Sequence, residues 1–214
     1  MNYPLTIYTV YHDDKLINEY NLNEDKHHKL FGTHKNMPGD SINYLQKIVN
    51  EGAAIYYVWK NNLKSDYVGF EHYRRRFIIN DIKELNSDTC YVAYLDDNGP
   101  YYCDEFEMEF KILFSLLDKN YYNYFMFNKK IIGSELFIMS WNNYVKMCEF
   151  IFDIMFKFDK LLGGNMDIEN YKRIYNEDMY KARWHILERL ISAYIILNFG
   201  LENIETININ DMSY

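Results

Sequence analysis

The residues best suited to chemistry are gathered in Glu71-His72-Tyr73-Arg74-Arg75-Arg76-Phe77, directly after an apolar strand pattern, Tyr67-Val68-Gly69-Phe70. Three consecutive arginines in a chain of net charge −8 suggest an anionic ligand, because guanidinium groups pair with phosphate or carboxylate through two parallel hydrogen bonds. Adjacent residues on a strand face opposite ways, so all three serve one ligand only if the strand has ended. The alternatives for them are salt bridges to the many carboxylates, or a solvated strand end. Glu71 and His72 offer a carboxylate and an imidazole, both of which suit first-row metal ions. Equally, His72 reads as a buried hydrogen-bonding histidine and Glu71 as the partner of an arginine. A second acidic pair, Asp96-Asp97, follows the strand pattern Cys90–Leu95 and reads either as a metal site or as part of a solvated turn. Further on, Glu188-Arg189 interrupts an apolar helical pattern between Trp184 and Ser192. A carboxylate in so apolar a setting is costly without a purpose, the alternative being a surface pair with Arg189 or Lys181.

These groups need a frame, and the hydrophobic patterning supplies one. Leu5–Tyr11 is β-branched and aromatic, a buried first strand ending at His12. Residues 18–40 are polar and mixed and read as a long, partly irregular connection closing on Pro38-Gly39. Ser41 opens a helix with Ile42, Leu45, Ile48 and Val49 at helical spacing, Gly52 interrupts it, and a second helix runs over about 53–61. The spacing predicts helices over 106–117 and 141–162, with strands at Tyr67–Phe70, Cys90–Leu95 and Leu136–Met139. A last long helix, capped by Asp178, closes at Gly200, and Ile204–Ile209 forms a terminal strand. Strands alternate with helices, which places the chain in the α/β class.

The 214 residues suffice for one domain with a full core, read as 1–214, either a whole protein or one domain of a longer chain. The acidic balance argues against a broad nucleic-acid-binding face. Twenty-two Tyr and 14 Phe are unusually many and reflect coding bias first. Tyrosine-lined clefts nevertheless suit sugar rings, since the ring offers a stacking face and a hydroxyl. Cys90, Cys103 and Cys148 lack metal spacing and read as reduced thiols. No signal-peptide pattern opens the chain and no apolar run spans a membrane, so a cytoplasmic location is expected.

The order of segments resembles the short glycosyltransferases of capsular and exopolysaccharide biosynthesis, which also occur in large DNA viruses. The resemblance is carried by His12, Glu51, Tyr56, Trp59-Lys60-Asn61, Asp66-Tyr67 and Gly69 through Phe77. Leu136–Met139 before the long aromatic helix, and Glu188-Arg189-Leu190 in the last one, also fit. It covers residues 5–200; Asp96-Asp97-Asn98 has no counterpart.

The resemblance implies a GT-A type fold, a Rossmann-like mixed central sheet flanked by helices, that binds a nucleotide-sugar with Mn²⁺ or Mg²⁺. It makes the first strand end (Thr9, Val10, Tyr11, His12), Lys60, Arg74, Arg75 and Arg189 the donor-binding residues. It further implies Gly133, Ser134 and Glu135 on the acceptor side, and the metal at His72 and Glu71, with Asp96 and Asp97 as alternative. Glu188 takes the catalytic role, because similar retaining families carry an acid on a late helix near the transferred sugar. The expected activity is transfer from a UDP-sugar to a glycan acceptor. The rival readings are a non-catalytic carbohydrate-binding or scaffold domain on the same fold, and a nucleotidyl- or phosphotransferase.

Overall fold

The computed structural model describes residues 4–79, 84–97, 106–133, 135–175 and 185–212. In chain order the first half runs β1 (Leu5–Tyr11), α1 (Lys15–Glu19), β2 (His28–Gly32), α2 (Gln46–Val49), α3 (Gly52–Lys60), β3 (Tyr67–His72), β4 (Arg75–Phe77), β5 (Cys90–Val92) and β6 (Leu95–Asp96). The second half runs α4 (Glu107–Leu116), α5 (Lys119–Phe127), β7 (Ile131–Ile132), β8 (Phe137–Ser140), α6 (Trp141–Leu162), α7 (Ile168–Tyr175), α8 (His185–Phe199), β9 (Ile204–Thr206) and β10 (Ile209–Asp211).

Among the described residues eight strands form one mixed sheet. β1 lies between β2 and β3 and is parallel to both, which is why its sequence is apolar along nearly its whole length. β3 continues antiparallel to β8, β8 antiparallel to β5, and β5 parallel to β9. β4 folds back on β3 through the pair His72↔Arg75, and β10 runs antiparallel along β4.

Side chains alternate between the two sheet faces. Tyr8, Val10, Val68, Phe70, Phe137 and Met139 join the larger core with α3, α4, α6 and α8. Leu5, Ile7, Tyr67, Tyr91 and Ile138 form a smaller core with Phe77 and Ile207. Gly69 sits at the tight centre of β3, where a Cβ would lie 2.7 Å from Ile138 and 3.1 Å from the carbonyl of Phe137. α6 ends at Gly163, whose φ of 88° is the left-handed conformation that closes a helix.

Several elements differ from expectation. The stretch 18–40 contains β2, an edge strand with little apolar content that exists because β1 offers it a partner from Ile7↔His28 to Tyr11↔Gly32. The strand from Cys90 stops at Val92; Leu95-Asp96 pairs instead with Ile131-Ile132 in a separate ribbon. α5 and α7 arise where no helix is predicted, the first capped by Asp118, whose carboxylate accepts from the amides of Asn120 and Tyr121. The helix opening at Ser41 is a 3-10 turn at Asn43–Leu45 followed by the single turn of α2. The terminal strand is two strands, β9 and β10, which join the sheet at different places. The proposed cap Asp178 lies outside the described residues.

Candidate functional site

The sheet order β2-β1-β3 reverses direction at β1, since the chain leaves β1 toward one side and returns to its other side as β3. Ligands in open α/β sheets bind in the crevice at the carboxyl ends of the strands flanking such a reversal. In this protein that crevice is a cavity of about 410 Å³. His12 enters it from the end of β1, and His72, Tyr73, Arg74 and Arg75 from the end of β3. Gln46, Asn50 and Glu51 come from the junction of α2 and α3, Glu135 from the approach to β8, and Glu188 from the first turn of α8.

The arginine run is a turn followed by a return strand. β3 ends at His72, Tyr73-Arg74 form the bend, and Arg75 starts β4. The amide of Tyr73 donates to the carbonyl of Val10 and that of Met212 to the carbonyl of Arg74, so the bend is held from both sides. Tyr73 packs edge-on against His12 with centroids 5.4 Å apart. Arg74 and Arg75 line the cavity while Arg76 turns to Glu71, its Nε 3.1 Å from Oε1. Arg75 also pairs with Asp211 at 3.2 Å, and Asp211 accepts from the Tyr94 hydroxyl.

Two nitrogens at this site are buried with no hydrogen-bond partner among the described residues: Nε2 of His72 and Nε of Arg74. Native structures leave few such donors unpaired, and each one calls for an explanation. Nε2 of His72 lies 3.7 Å from Oε1 of Glu51, beyond hydrogen-bond length.

Opposite the basic groups stand three carboxylates. Glu51 and Glu188 approach because Gly52 lets the start of α3 press against Leu187; a Cβ there would collide with that side chain. Glu135 is 9% exposed and holds a left-handed φ of 52°, an unfavourable conformation for a glutamate. Strain of this kind concentrates where surrounding structure fixes a functional side chain. Burial, then the neighbouring charges of Glu51 and Glu188, push the Glu135 carboxyl well above the usual range.

Of the residues singled out in the sequence, His12, His72, Arg74, Arg75, Glu135 and Glu188 meet at this cavity. Glu71 does not line it. Its side chain is fully buried, accepting from Thr9 Oγ1 at 2.6 Å, Arg76 Nε at 3.1 Å and the Phe77 amide at 2.8 Å. It is thus the partner of an arginine, with both oxygens occupied. Thr9, Val10 and Tyr11 are buried in β1. Lys60 lies over the Trp59 ring, 3.8 Å from its centroid, and Asn61 bonds to the Tyr57 and Asp40 carbonyls, so Trp-Lys-Asn closes α3 and ties down the preceding loop. Arg189 lies against the Phe106 and Phe110 rings. Asp96 and Asp97 are exposed, Asp97 paired with Lys130 at 2.8 Å, and neither they nor Gly133 line the cavity. Ser134 lies outside the described residues. Glu51 carried no role in the sequence reading, although it stands in the family pattern; Gln46 and Asn50 had no signal at all.

Among the described residues no three His, Cys, Asp or Glu side chains converge closely enough to hold a metal ion by themselves. None of the described helices is long and apolar enough to cross a membrane. Cys90 and Cys148 are buried, which raises both thiols well above their usual pKa; Cys103 lies outside the described residues.

The fold and site define an α/β protein with a polar cavity at a sheet reversal. Residues 7–114, half of the chain, match the model of a family described as a domain of unknown function (DUF4422), and the chain belongs to that family. The matched region carries His12, Glu51 and the His72–Arg75 bend, and ends before Glu135 and Glu188. The fold is similar to that of the apo structure of WbbM, a bifunctional glycosyltransferase, with a TM-score of 0.74 and 18% sequence identity. The similarity covers 99% of this chain and 46% of that one, so this chain spans less than half the length of WbbM. No curated protein matches the chain.

Proposed function

We propose that this protein is a glycosyltransferase that moves a sugar from a nucleotide-sugar, with UDP as the nucleotide, to a glycan acceptor. The observation that carries this reading is the pair of buried, unpartnered donors, His72 Nε2 and Arg74 Nε, at a sheet-reversal cavity. A diphosphate supplies acceptor oxygens for both, and Arg74 and Arg75 offset the charge that grows on it as the sugar departs. The facing carboxylates suit the sugar side. Glu188 stabilises positive charge at the anomeric carbon, or attacks it where configuration is retained. Glu135, made more basic by its surroundings, accepts the proton of the acceptor hydroxyl as the new bond to the anomeric carbon forms and the bond to phosphate, or to Glu188 where that carboxylate has already displaced the phosphate, breaks.

A divalent ion, Mn²⁺ or Mg²⁺, fits this site only in part. With Nε2 of His72 unprotonated, in place of donating to the diphosphate, it and Glu51 Oε1 would offer an imidazole and a carboxylate, with phosphate oxygens and water left to complete the coordination. Such an ion would neutralise charge on the diphosphate.

The test is thermal stability with UDP, GDP and CMP, each with and without Mn²⁺ or Mg²⁺, followed by donor hydrolysis with the corresponding sugars. Ligand saturating at a hundred times Kd stabilises by about 2.7 kcal/mol, readily seen as a shift in melting temperature. The expected result is a shift with UDP that Arg74→Ala reduces, and slow UDP-sugar hydrolysis. No shift with any of the nucleotides sinks the proposal, and binding without hydrolysis or transfer would favour a carbohydrate-binding domain instead.

A further inference from the structure

Helix α8 lines a second cavity, of about 580 Å³, with its other end. Leu197 and Asn198 stand there, while Glu188 stands in the first cavity ten residues earlier, about 15 Å back along the helix axis. α5 supplies Asn120, Asn123 and Phe127 to the opposite wall, and Asn128 follows them.

The chemistry of this wall differs from that of the first site. Among the described residues no Lys, Arg or His lines it, so these give it nothing to select a phosphate. The one carboxylate among its described lining residues, Asp118, is occupied at Oδ1 in capping α5. The tyrosine hydroxyls beneath are also engaged: that of Tyr124 with Ser192 and the Lys130 carbonyl, that of Tyr121 with Asn198. Apart from the Asp118 carboxylate at the helix cap, what faces the solvent is a neutral set of amides beside Phe127 and Leu197. The side chains of Asn120 and Asn123 make no hydrogen bond among the described residues, and Phe127 is 71% exposed. A phenyl ring left in water forfeits burial that a ligand would recover.

We propose that this groove between α5 and α8 binds a neutral saccharide, separately from the transfer cavity. A pyranose presents an apolar C–H face, which packs on an aromatic ring, and a rim of hydroxyls that both donate and accept. Carboxamides are the matching side chains, since each has donors and an acceptor and carries no charge. Holding a glycan here would raise its effective concentration near the first cavity without any further contact there.

The test is saturation-transfer NMR with neutral tetrasaccharides of glucose, galactose and mannose, and with uridine and adenosine as competing flat ligands. It is run on the full chain and on Phe127→Ala, Asn123→Ala and Glu188→Gln, each checked for a cooperative melt no lower than that of the parent. The expected result is binding of at least one tetrasaccharide, weakened tenfold or more by Phe127→Ala and by Asn123→Ala and unchanged by Glu188→Gln. Absence of saccharide binding, binding that survives both groove substitutions, or preference of the groove for the nucleosides overturns the proposal. Because Glu188→Gln and the groove variants report on different cavities, loss of the transferase reading leaves this test intact.

Discussion

Nε2 of His72, at the end of β3, stands 3.7 Å from Oε1 of Glu51, at the start of α3. The gap is too long for a hydrogen bond and suited to a bridging atom, either a water or a metal ion. It joins the two chain segments that the sheet reversal brings together. Glu51→Gln should therefore reduce the extra stabilisation that Mn²⁺ or Mg²⁺ adds to UDP, leaving the metal-independent shift largely in place. His72→Ala should reduce both. Calorimetric titration of UDP with and without metal checks this, and an unchanged metal increment in Glu51→Gln would remove Glu51 from the site.

Neighbouring arginines should behave in opposite ways. Arg74→Ala is expected to weaken UDP about tenfold or more, the worth of a hydrogen bond to a charged group, with little loss of fold stability. Arg76→Ala should instead destabilise the protein by about 3 kcal/mol, because the fully buried Glu71 carboxylate loses its cationic partner. Urea melts for stability and titrations for binding separate the two; equal effects of both substitutions on either quantity would contradict the geometry.

Glu135 sets a pH dependence. Its folded-state pKa is raised by burial and by Glu51 and Glu188, so between the ordinary carboxylate range and that elevated value the folded protein binds more protons than the unfolded chain. Stability from this group is therefore complete below the ordinary glutamate pKa and is lost as pH rises through the raised one. Glu135→Gln should flatten that fall and melt higher than the parent at neutral pH. Melting curves across pH 4–9, about the span over which a perturbed carboxyl titrates, would expose a parent and variant with parallel profiles as evidence against this assignment.

Glu188→Gln should leave UDP binding nearly unchanged while lowering transfer by about a hundredfold or more, the usual scale for removing one stabilising group from a reacting centre. A variant that transfers sugar at the parental rate would assign Glu188 a packing role.

Much of the frame is readable from local pattern. β1 and α6 occupy the residues expected of them because their apolar periodicity is long and uninterrupted. Fragments such as β2 and β7 carry too few apolar residues to declare themselves; each becomes a strand only because another strand lies alongside. The Arg74–Arg76 run shows the same limit. Residue types suggested an anion site, yet whether the backbone bends after His72 decides which guanidinium faces the cavity and which faces Glu71.

What the sequence determined by itself is the α/β class, the buried first strand, and a basic strand end in an acidic chain. These follow from side-chain periodicity and charge, which are local properties. The tertiary structure decided that Glu71 is locked into the β1–β3 ladder with Thr9, and that Glu51, Glu135 and Glu188 converge from three distant segments. Proximity between residues far apart in the chain depends on sheet order and on the close approach of α3 to α8. No local pattern encodes either, so the carboxylate face of the cavity appears only once the chain is folded.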